Sequence, residues 1–510
     1  MMGLAALFMS ACSSDDMLDG QNVNSDNVEA YMTLQLVGPE GRVVTRTTAG
    51  EDGTEAGTAV QNKISSATIL LCNPSNHQVQ YVYTSPELTP TTNGVKTQPI
   101  KTTTGTFEVY VIANAGSVSL AAGTDVTGKT IESVTEALMQ SAYAGDNTFI
   151  MFNESNGSDD IAGSKIEIKA ENVYENPAAC AAINMDRLAA QIRSQVSPTL
   201  TITDITSKNS FVTAATLKGY KLLNGATKVN LQQHWNNAKT AQGTTYPWIN
   251  LLLTPELAAG TNAGGAEYYN HLTDFRTVTK TTGTTGAETY TVAKDLYANI
   301  NPYETTGLGS IFCMENSPLS HSAAEALNGN TTGLVYQFQA TVTGSDAKAG
   351  ANSFYGYNGE YFATLAALQA RYPNAFDAAT GADAAAKLAA ATTELETAYA
   401  AADKQTEISN FRVKYNVQVF TDGIMYYTYF IKDKNYKQGT AGSEENYYSV
   451  MRNTIYDLTV KSLKRIGTDI PGGWNPEVDP EDPVDQKNVY MVVEANVNQW
   501  VLSTEEIDLK

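Results

Sequence analysis

Val489-Tyr490-Met491-Val492-Val493-Glu494-Ala495-Asn496-Val497 is the stretch that shows most clearly what kind of fold this chain adopts. Its apolar side chains fall on alternate positions, at Val489, Met491, Val493, Ala495 and Val497. Successive side chains of a β-strand point to opposite faces, so this period of two predicts a strand with one face on an apolar core. Further apolar residues continue the pattern towards the end of the chain, at Trp500, Leu502, Ile507 and Leu509.

The same alternation recurs along the chain. Met32, Leu34 and Leu36 alternate with polar residues near the N-terminus. Comparable patterns predict further strands at 68–72, 80–84, 107–111, 148–152, 165–169, 199–204, 334–342, 412–420 and 424–432. Because 510 residues exceed what one ordinary core accommodates, we expect two sandwich-like domains. The chain is therefore predicted to be mostly β.

Changes in composition divide the sequence further. Ser197-Pro198 follows an apolar run and precedes a new strand pattern, which predicts a domain boundary near residue 197. Residues 360–403 are rich in Ala and Leu at helical spacing and predict a small helical insertion in the second domain. Prolines and acidic residues at 467–487 predict an extended linker. The predicted parts are an N-terminal domain at 47–197, a C-terminal domain at 198–466, the linker at 467–487 and a final strand at 488–510.

The charge of the chain narrows the range of partners. It has 33 Lys and Arg residues against 54 Asp and Glu residues, which gives a formal net charge of −21. A negative charge of this size repels phosphate backbones, so nucleic acid is not expected as a partner.

The sequence carries no catalytic or metal-binding signature. It lacks a Gly-x-Ser-x-Gly elbow, a His-Glu-x-x-His motif, a phosphate-binding loop and a dinucleotide fingerprint. The histidines are scattered, at His77, His234, His271 and His321. The cysteines are too far apart for a zinc site or a disulfide framework. We therefore expect no enzymatic activity, no catalytic residues, no bound metal and no cofactor.

One cysteine, Cys12, stands in a different context from the others. It follows an apolar run from Met1 to Met9 and the small pair Ser10-Ala11, and acidic residues come soon after it. This arrangement is typical of a lipoprotein signal, in which a signal peptidase cleaves before a cysteine that becomes acylated. We predict that residues 1–12 are a lipoprotein signal peptide with its lipidation site at Cys12, and that this lipid is the membrane anchor.

The final strand leaves two arrangements open. A long apolar strand after a stiff linker attracts other chains unless something covers it, because its backbone groups are unpaired. In one arrangement, the strand folds back onto its own domain. In the other, it completes a neighbouring subunit, where its backbone forms hydrogen bonds and its alternate side chains fill pockets.

The N-terminal region offers a counterpart to the second arrangement. A strand is predicted at 31–37, and Arg46 follows it at the start of a polar, Gly-rich stretch. An exposed Arg in a loop is a natural site for an Arg-specific protease, and Arg42 is a second candidate. A cut between Arg46 and Thr47 would separate a propeptide, residues 13–46, and would open an apolar groove. The side chains that would leave this groove are Met32, Leu34 and Leu36.

Several motifs together resemble those of one family. The motifs are Tyr447-Tyr448-Ser449-Val450-Met451-Arg452-Asn453-Thr454-Ile455-Tyr456-Asp457-Leu458-Thr459-Val460, Val489-Tyr490-Met491-Val492-Val493, Ile507-Asp508-Leu509, Phe107-Glu108-Val109-Tyr110-Val111-Ile112-Ala113-Asn114 and Asp186-Arg187-Leu188-Ala189-Ala190. They resemble the Bacteroidales fimbrillins, in particular the branch with the major subunit of the short (minor) fimbriae of Porphyromonas. Arg452 and Asn453 interrupt the apolar pattern, and we expect them to brace the sheet or a turn.

The resemblance implies a fold and a way of assembly. It implies two transthyretin-like β-sandwich domains, export through the periplasm as a lipoprotein of the outer membrane, and removal of the first strand by an Arg-specific protease after Arg46. It further implies polymerisation by donor-strand exchange, with residues 488–510 as the donor. The implied protein is the structural shaft (major) subunit of a cell-surface fimbria, or pilus, that serves adhesion.

The partners that follow from the resemblance are other copies of the chain in a head-to-tail polymer, the fimbrial anchor and tip subunits, the protease, and host or bacterial surface receptors. Two alternatives remain open from the sequence. The chain could be the anchor or a tip subunit of such a fimbria. It could also be a monomeric surface glycan-binding lipoprotein, for which exposed aromatic residues such as Trp235 and Trp248 would serve.

Overall fold

The structure of the chain is a computed structural model that describes most residues between 29 and 501. The described ranges are 29–38, 54–84, 86–92, 94–115, 120, 125–137, 143–144, 148–155, 161–202, 209–223, 230–236, 240–241, 244–245, 250–252, 278–282, 288–292, 301–302, 310–315, 331–438, 445–448, 450–469 and 491–501. Within these ranges the chain is mostly β, which confirms the prediction from its alternating pattern.

Before Leu188, the described residues form fifteen strands and one short helix, α1 (Ile131–Ala137). The strands are β1 (Glu29–Thr33), β2 (Gln35–Val37), β3 (Thr54–Ala56), β4 (Ala67–Cys72), β5 (Val79–Thr84), β6 (Leu88–Thr91), β7 (Gly94–Thr97), β8 (Ile100–Thr103), β9 (Gly105–Ala113), β10 (Tyr143–Ala144), β11 (Thr148–Phe149), β12 (Met151–Asn153), β13 (Ser164–Ile168), β14 (Ala178–Ala179) and β15 (Ile183–Arg187).

The strands that follow Leu188 form the C-terminal part. They are β16 (Ala189–Ile202), β17 (Val212–Leu223), β18 (His234–Asn236), β19 (Thr240–Ala241), β20 (Thr244–Thr245), β21 (Asn250–Leu252), β22 (Val278–Thr282), β23 (Glu288–Val292), β24 (Asn301–Pro302), β25 (Ser310–Met314), β26 (Gly333–Val342), β27 (Phe354–Tyr357), β28 (Glu360–Phe362), β29 (Gln418–Phe420), β30 (Ile424–Phe430), β31 (Asp433–Gln438), β32 (Glu445–Tyr447), β33 (Thr454–Leu463) and β34 (Met491–Val501).

Two sheets enclose the core of the N-terminal part. One has nine strands in the order β5-β4-β9-β12-β15-β2-β7-β6, with β13 also paired to β9, and the other has three strands in the order β14-β1-β8. Met32, Leu36, Ile69, Val109 and Met185 come from both sheets and pack in one buried cluster. The alternating residues predicted to face a core do so, because each sheet buries one side against the other.

Two further sheets form the sandwich of the C-terminal part. The first has five strands in the order β25-β16-β33-β34-β3, and the second has four in the order β24-β17-β26-β30. Ile192 and Tyr456 of the first sheet share a buried cluster with Phe338 and Met425 of the second. Strand β3 is the exception to the division by sequence, since it comes from the N-terminal part and pairs with β34 at the edge of this sheet.

The passage from one part to the other lies at Leu188. Strand β15 ends at Arg187 in the nine-stranded sheet, and β16 begins at Ala189 in the five-stranded sheet. Strand β16 then continues through residue 197, where the sequence predicted the boundary, and pairs in parallel with β33, with a shift of register between Val196 and Thr201. Residues 189–196 therefore belong to the C-terminal sandwich, and Ala190 and Ile192 lie in its core.

Three helices make up the insertion in the C-terminal part. They are α2 (Leu365–Arg371), α3 (Ala384–Ala400) and α4 (Lys404–Tyr415), and they pack with β27 and β29 around a buried cluster of their own. The side chains of Thr364 and Asp383 accept hydrogen bonds from backbone N–H groups at the starts of α2 and α3, as N-caps do. The predicted insertion at 360–403 thus contains α2 and α3, and α4 follows it.

The strand predicted at 412–420 is wrong for its first residues. Helix α4 continues to Tyr415, and only Gln418–Phe420 is a strand. The buried residues Ile408, Phe411, Arg412 and Tyr415 are spaced as one face of a helix.

Among the described residues, no helix is long and apolar enough to span a membrane.

Candidate strand-exchange site

Residues 29–37, which form β1 and β2, are called the first strand below. This segment lies inside the N-terminal sandwich, and its two halves belong to different sheets. Strand β1 pairs antiparallel with β8 and parallel with β14, and β2 pairs antiparallel with β7 and parallel with β15. The chain changes sheets at Leu34. There Thr97 accepts a hydrogen bond from the backbone N of Leu34 through its Oγ1 at 3.0 Å and donates one from its own backbone N to the Leu34 oxygen at 2.9 Å.

Alternate side chains of this strand are completely buried. Ala30, Met32, Leu34 and Leu36 each have 0% exposure. In the registers of the sheets, Met32 lies between Ile100 and Ala178, and Leu36 lies between Val95 and Ile183. Burial of each large apolar side chain stabilises the fold by about 1.5–3 kcal/mol. Removal of residues 29–37 would therefore leave an apolar groove with unpaired strands on both sides.

Gly94 allows the backbone of β2 to come close to β7. A Cβ atom at this position would lie 2.0 Å from the carbonyl oxygen of Leu36, which no real pair of atoms tolerates. Residue 94 therefore has to be glycine for a strand to occupy this place. Gly94 was not among the predicted site residues, although Asn93-Gly94 between two strand patterns is a strong hairpin signal.

Cys180 follows β14 directly and packs at the side of the same core. Its side chain is only partly buried, and burial raises the pKa of its thiol above the ordinary value. The pKa values of Cys72 and Cys313, which are fully buried, rise to about 12 because of burial. Cys180 therefore lies near the first strand, because β14, which it follows directly, pairs with β1.

The last strand, β34, lies on the C-terminal sandwich of its own chain. It pairs antiparallel with β33 along its length and parallel with β3 at its end. Met491 is 8% and Val497 1% exposed, and Val493 and Ala495 are half-buried against the same core. The structure thus shows the first of the two arrangements that the sequence left open, the one within a single chain.

The remaining predicted site residues divide into two groups. The backbone of Trp500 pairs with that of Glu55. Outside the described residues lie Cys12, Arg46, Thr47, Val489, Leu502, Ile507 and Leu509, most of the linker, and Trp248.

Among the residues that the structure describes, no group of three or more His, Cys, Asp or Glu side chains could hold a metal ion. His77 in this part contacts Glu132, with Nδ1 at 2.6 Å from Oε1.

Two family profiles match the sequence. A profile of the major fimbrial subunit protein (FimA) matches residues 30–311, more than half of the chain. The chain belongs to the FimA family of major fimbrial subunit proteins. A second profile, for the C-terminal part of the type IV major fimbrial subunit, fimbrillin, matches residues 418–506 of this FimA-family chain. The family consists of fimbrial structural subunits and is not an enzyme family. No curated protein matches the sequence.

Solved structures of similar proteins cover nearly the whole FimA-family chain at low identity. A cell adhesion protein of Parabacteroides distasonis is 10% identical over 93% of this chain and 99% of its own, with a TM-score of 0.44. Fimbrilin (FimA) of Porphyromonas gingivalis is 14% identical over 94% of this chain and 98% of its own, with a TM-score of 0.39. The tip fimbrial protein Mfa3 of the same organism is 11% identical over 92% of this chain and 100% of its own, with a TM-score of 0.34.

Proposed function

We propose that this FimA-family subunit is the shaft (major) subunit of a cell-surface fimbria, polymerised by donor-strand exchange for adhesion. In this proposal the precursor loses its first strand by a cut after Arg46. The C-terminal strand of another copy then occupies the vacated groove. Its partners are copies of itself along the shaft, and anchor and tip subunits at the ends.

One observation supports this proposal above all others, namely that the first and last strands have the same apolar pattern. The first strand buries Ala30, Met32, Leu34 and Leu36 on alternate positions, and the last directs Met491, Val493, Ala495 and Val497 to a core in the same way. Strand β34 has 11 residues, enough to replace the residues of β1 and β2. A strand that adds to open edges gains backbone hydrogen bonds and fills the pockets with alternate side chains.

The groove and the donor lie in different sandwiches of one chain. Donation by one copy to the next is therefore a head-to-tail contact, which does not close on itself and so builds a filament. The apolar side chains that would enter the groove contribute on the order of 10 kcal/mol before the cost of association is subtracted.

Assembly from purified precursor tests the proposal. The wild type, Arg46→Ala and a form without residues 488–510 are each treated with an Arg-specific protease. They are then examined by electron microscopy and by electrophoresis in SDS without boiling. Of these three forms, only the wild type should give filaments and SDS-resistant ladders. Arg42→Ala, treated in the same way, is the matched control that should still assemble. Filaments of normal stability from the shortened form would refute donation by the last strand.

The same experiment separates the shaft subunit from its alternatives. An anchor would keep its first strand and would be incorporated once per filament, and a tip subunit would accept a strand without donating one. A glycan-binding lipoprotein would stay monomeric after trimming.

Lipid attachment is proposed at Cys12, with the precursor anchored in the outer membrane before it is trimmed. Labelled palmitate should enter the wild-type precursor in cells and not the Cys12→Ser variant. Label that remains in the variant would exclude Cys12 as the lipidation site.

A further inference from the structure

Arg193 connects three strands of the C-terminal sandwich on the face away from its core. Its guanidinium lies 2.6 Å from each carboxylate oxygen of Glu55, by Nη1 and Nη2, and it also contacts both oxygens of Asp457. Bidentate contacts of this kind between arginine and a carboxylate are strong, and they fix the relative position of both groups. Arg193 is 16% exposed, Asp457 21% and Glu55 38%.

The contact between Arg193 and Glu55 matters because of the position of the C-terminal strand, β34, in the sheet. In the five-stranded sheet, β33 and β34 lie between β16, which carries Arg193, and β3, which carries Glu55. In the registers, Asp457 pairs with Arg193 on one side and Asn496 on the other, and Glu55 pairs with Trp500. The ion pair between Arg193 and Glu55 therefore passes across the outer face of β34.

Charge and burial support this contact. Burial by itself would lower the pKa of Arg193. The hydrogen bonds with Glu55 and Asp457 have the larger effect together, so the pKa is raised. The guanidinium is therefore charged at every pH at which the protein is folded. On the opposite face, Val497 is 1% exposed in the core. The end of β34 thus lies between the sandwich core and a charged bridge.

We propose that Glu55 and Arg193 form a latch that retains the C-terminal strand in its own sheet until the strand is donated. Strand β3 covers an edge of β34 that would otherwise offer its backbone groups to any other chain. The latch holds β3 in that place. This role rests on the proposed donation of β34, and Arg193 acts in it by positioning the strand.

The order of the strands along the chain connects the latch with maturation. Strand β2, which belongs to the proposed displaced segment, precedes β3 in the sequence, and Arg46 lies between them. A cut after Arg46 would remove the covalent link from β2 to β3 and would leave β3 held by the chain on one side only. Strands near a chain end open more readily than internal ones. One cut would thus open the groove and weaken the hold on the donor strand together.

Hydrogen–deuterium exchange of the intact monomer tests the latch by itself. The full-length Arg46→Ala precursor is compared with the same protein that also carries Glu55→Gln, and Glu171→Gln, at an exposed carboxylate in the N-terminal part, is the matched control. Amides of 54–56 and 491–501 should exchange about fivefold faster in Glu55→Gln, as expected for the loss of a partly exposed ion pair. Amides of 29–33 and 384–400 should not change. Equal exchange at 491–501 in both variants would overturn the latch.

The link to assembly is tested separately in protein that can be cut. After trimming, the Glu55→Gln form should assemble several-fold faster than the Glu171→Gln form. Faster exchange with an unchanged assembly rate would overturn the role of the latch in donation. Filaments that still form without residues 488–510 would instead refute the proposed function, and the exchange result would stand.

Discussion

Arg452 donates a hydrogen bond from Nε to Oε2 of Glu315 at 2.8 Å, in a pair whose side chains are 1% and 2% exposed. The same guanidinium donates to the backbone oxygens of Leu231 and Asn230 at 2.7 Å. Gln233 also donates to Oε2 of Glu315, at 2.9 Å. Arg452 thus connects the turn before β33 with Glu315, directly after β25, and with Asn230 and Leu231, as expected for a bracing role.

Loss of one partner of this pair should destabilise the protein strongly. Arg452→Met leaves the Glu315 carboxylate buried with no charged partner from this pair, which costs about 3–5 kcal/mol. Urea denaturation of the monomer measures the effect. In the double variant Arg452→Met with Glu315→Leu no charge of the pair remains, so part of the stability should return. A double variant that is less stable than both single variants would show that the ion pair itself, and not an unpaired charge, decides the result.

Asn453 should couple the two sandwiches. It has a φ of 53°, accepts from the backbone N of Arg187 at 3.0 Å and donates to Asp186 at 2.6 Å, next to the change of sheets at Leu188. Asn453→Gly keeps the left-handed backbone and loses both side-chain contacts, which should cost about 1–3 kcal/mol. Asn453→Ala also strains the backbone, by a further ~1–2 kcal/mol. Denaturation followed by separate probes in the two sandwiches checks this, and we expect the two transitions to separate. Coincident transitions with unchanged midpoints would contradict the coupling.

Most of the strands could be predicted from the sequence because alternation is a local property. Phe107, Val109 and Val111 face a core as their spacing indicates, and β9 includes all three. The stretch after Phe411 misled the same reasoning, since its residues also alternate in polarity. Its first residues continue helix α4, and the buried face of this helix includes Arg412, which pairs with the distant Asp469, with Nη2 at 3.1 Å from Oδ1. A polar residue on the buried face hides the helical period from a purely apolar pattern.

Which distant strands pair with each other could not be predicted from the sequence, for a similar reason. The two apolar segments of the candidate site, around Met32 and Val497, were both predicted as strands. Nothing in their residues shows that β1 and β2 belong to different sheets, or that Glu55 reaches Arg193 across β34. Such registers depend on which edges remain free after all the other strands have paired.

Gly94→Ala should prevent any strand from lying in the groove of the N-terminal sandwich. Its Cβ would clash with the carbonyl oxygen of Leu36, at 2.0 Å, so β2 can pair with β7 only after the backbone moves. The variant precursor should lose several kcal/mol of stability in the N-terminal part, as for other overpacked sites. The donor strand would meet the same obstacle, so the trimmed variant should not form filaments. Gly128→Ala is the control, because nothing lies within 4 Å of a Cβ there, although its φ of 80° costs some stability. Normal filaments from Gly94→Ala would place the donor elsewhere.

The reactivity of Cys180 should report whether the groove is open or filled. In the precursor, burial raises the pKa of this thiol, so alkylation at pH 8 should be slow. Loss of β1 removes the strand paired with β14, exposes Cys180 to water and lowers its pKa towards the ordinary value. Trimmed monomers should therefore react faster, because a lower pKa raises the fraction of the thiol that is ionised at this pH. Filaments should return to the slow rate, because a donor strand covers the thiol again. Cys313, whose pKa burial raises to about 12, is the internal control and should stay unreactive throughout. Mass spectrometry of the alkylated peptides gives each rate, and fast reaction of Cys180 in assembled filaments would mean that the groove stays open.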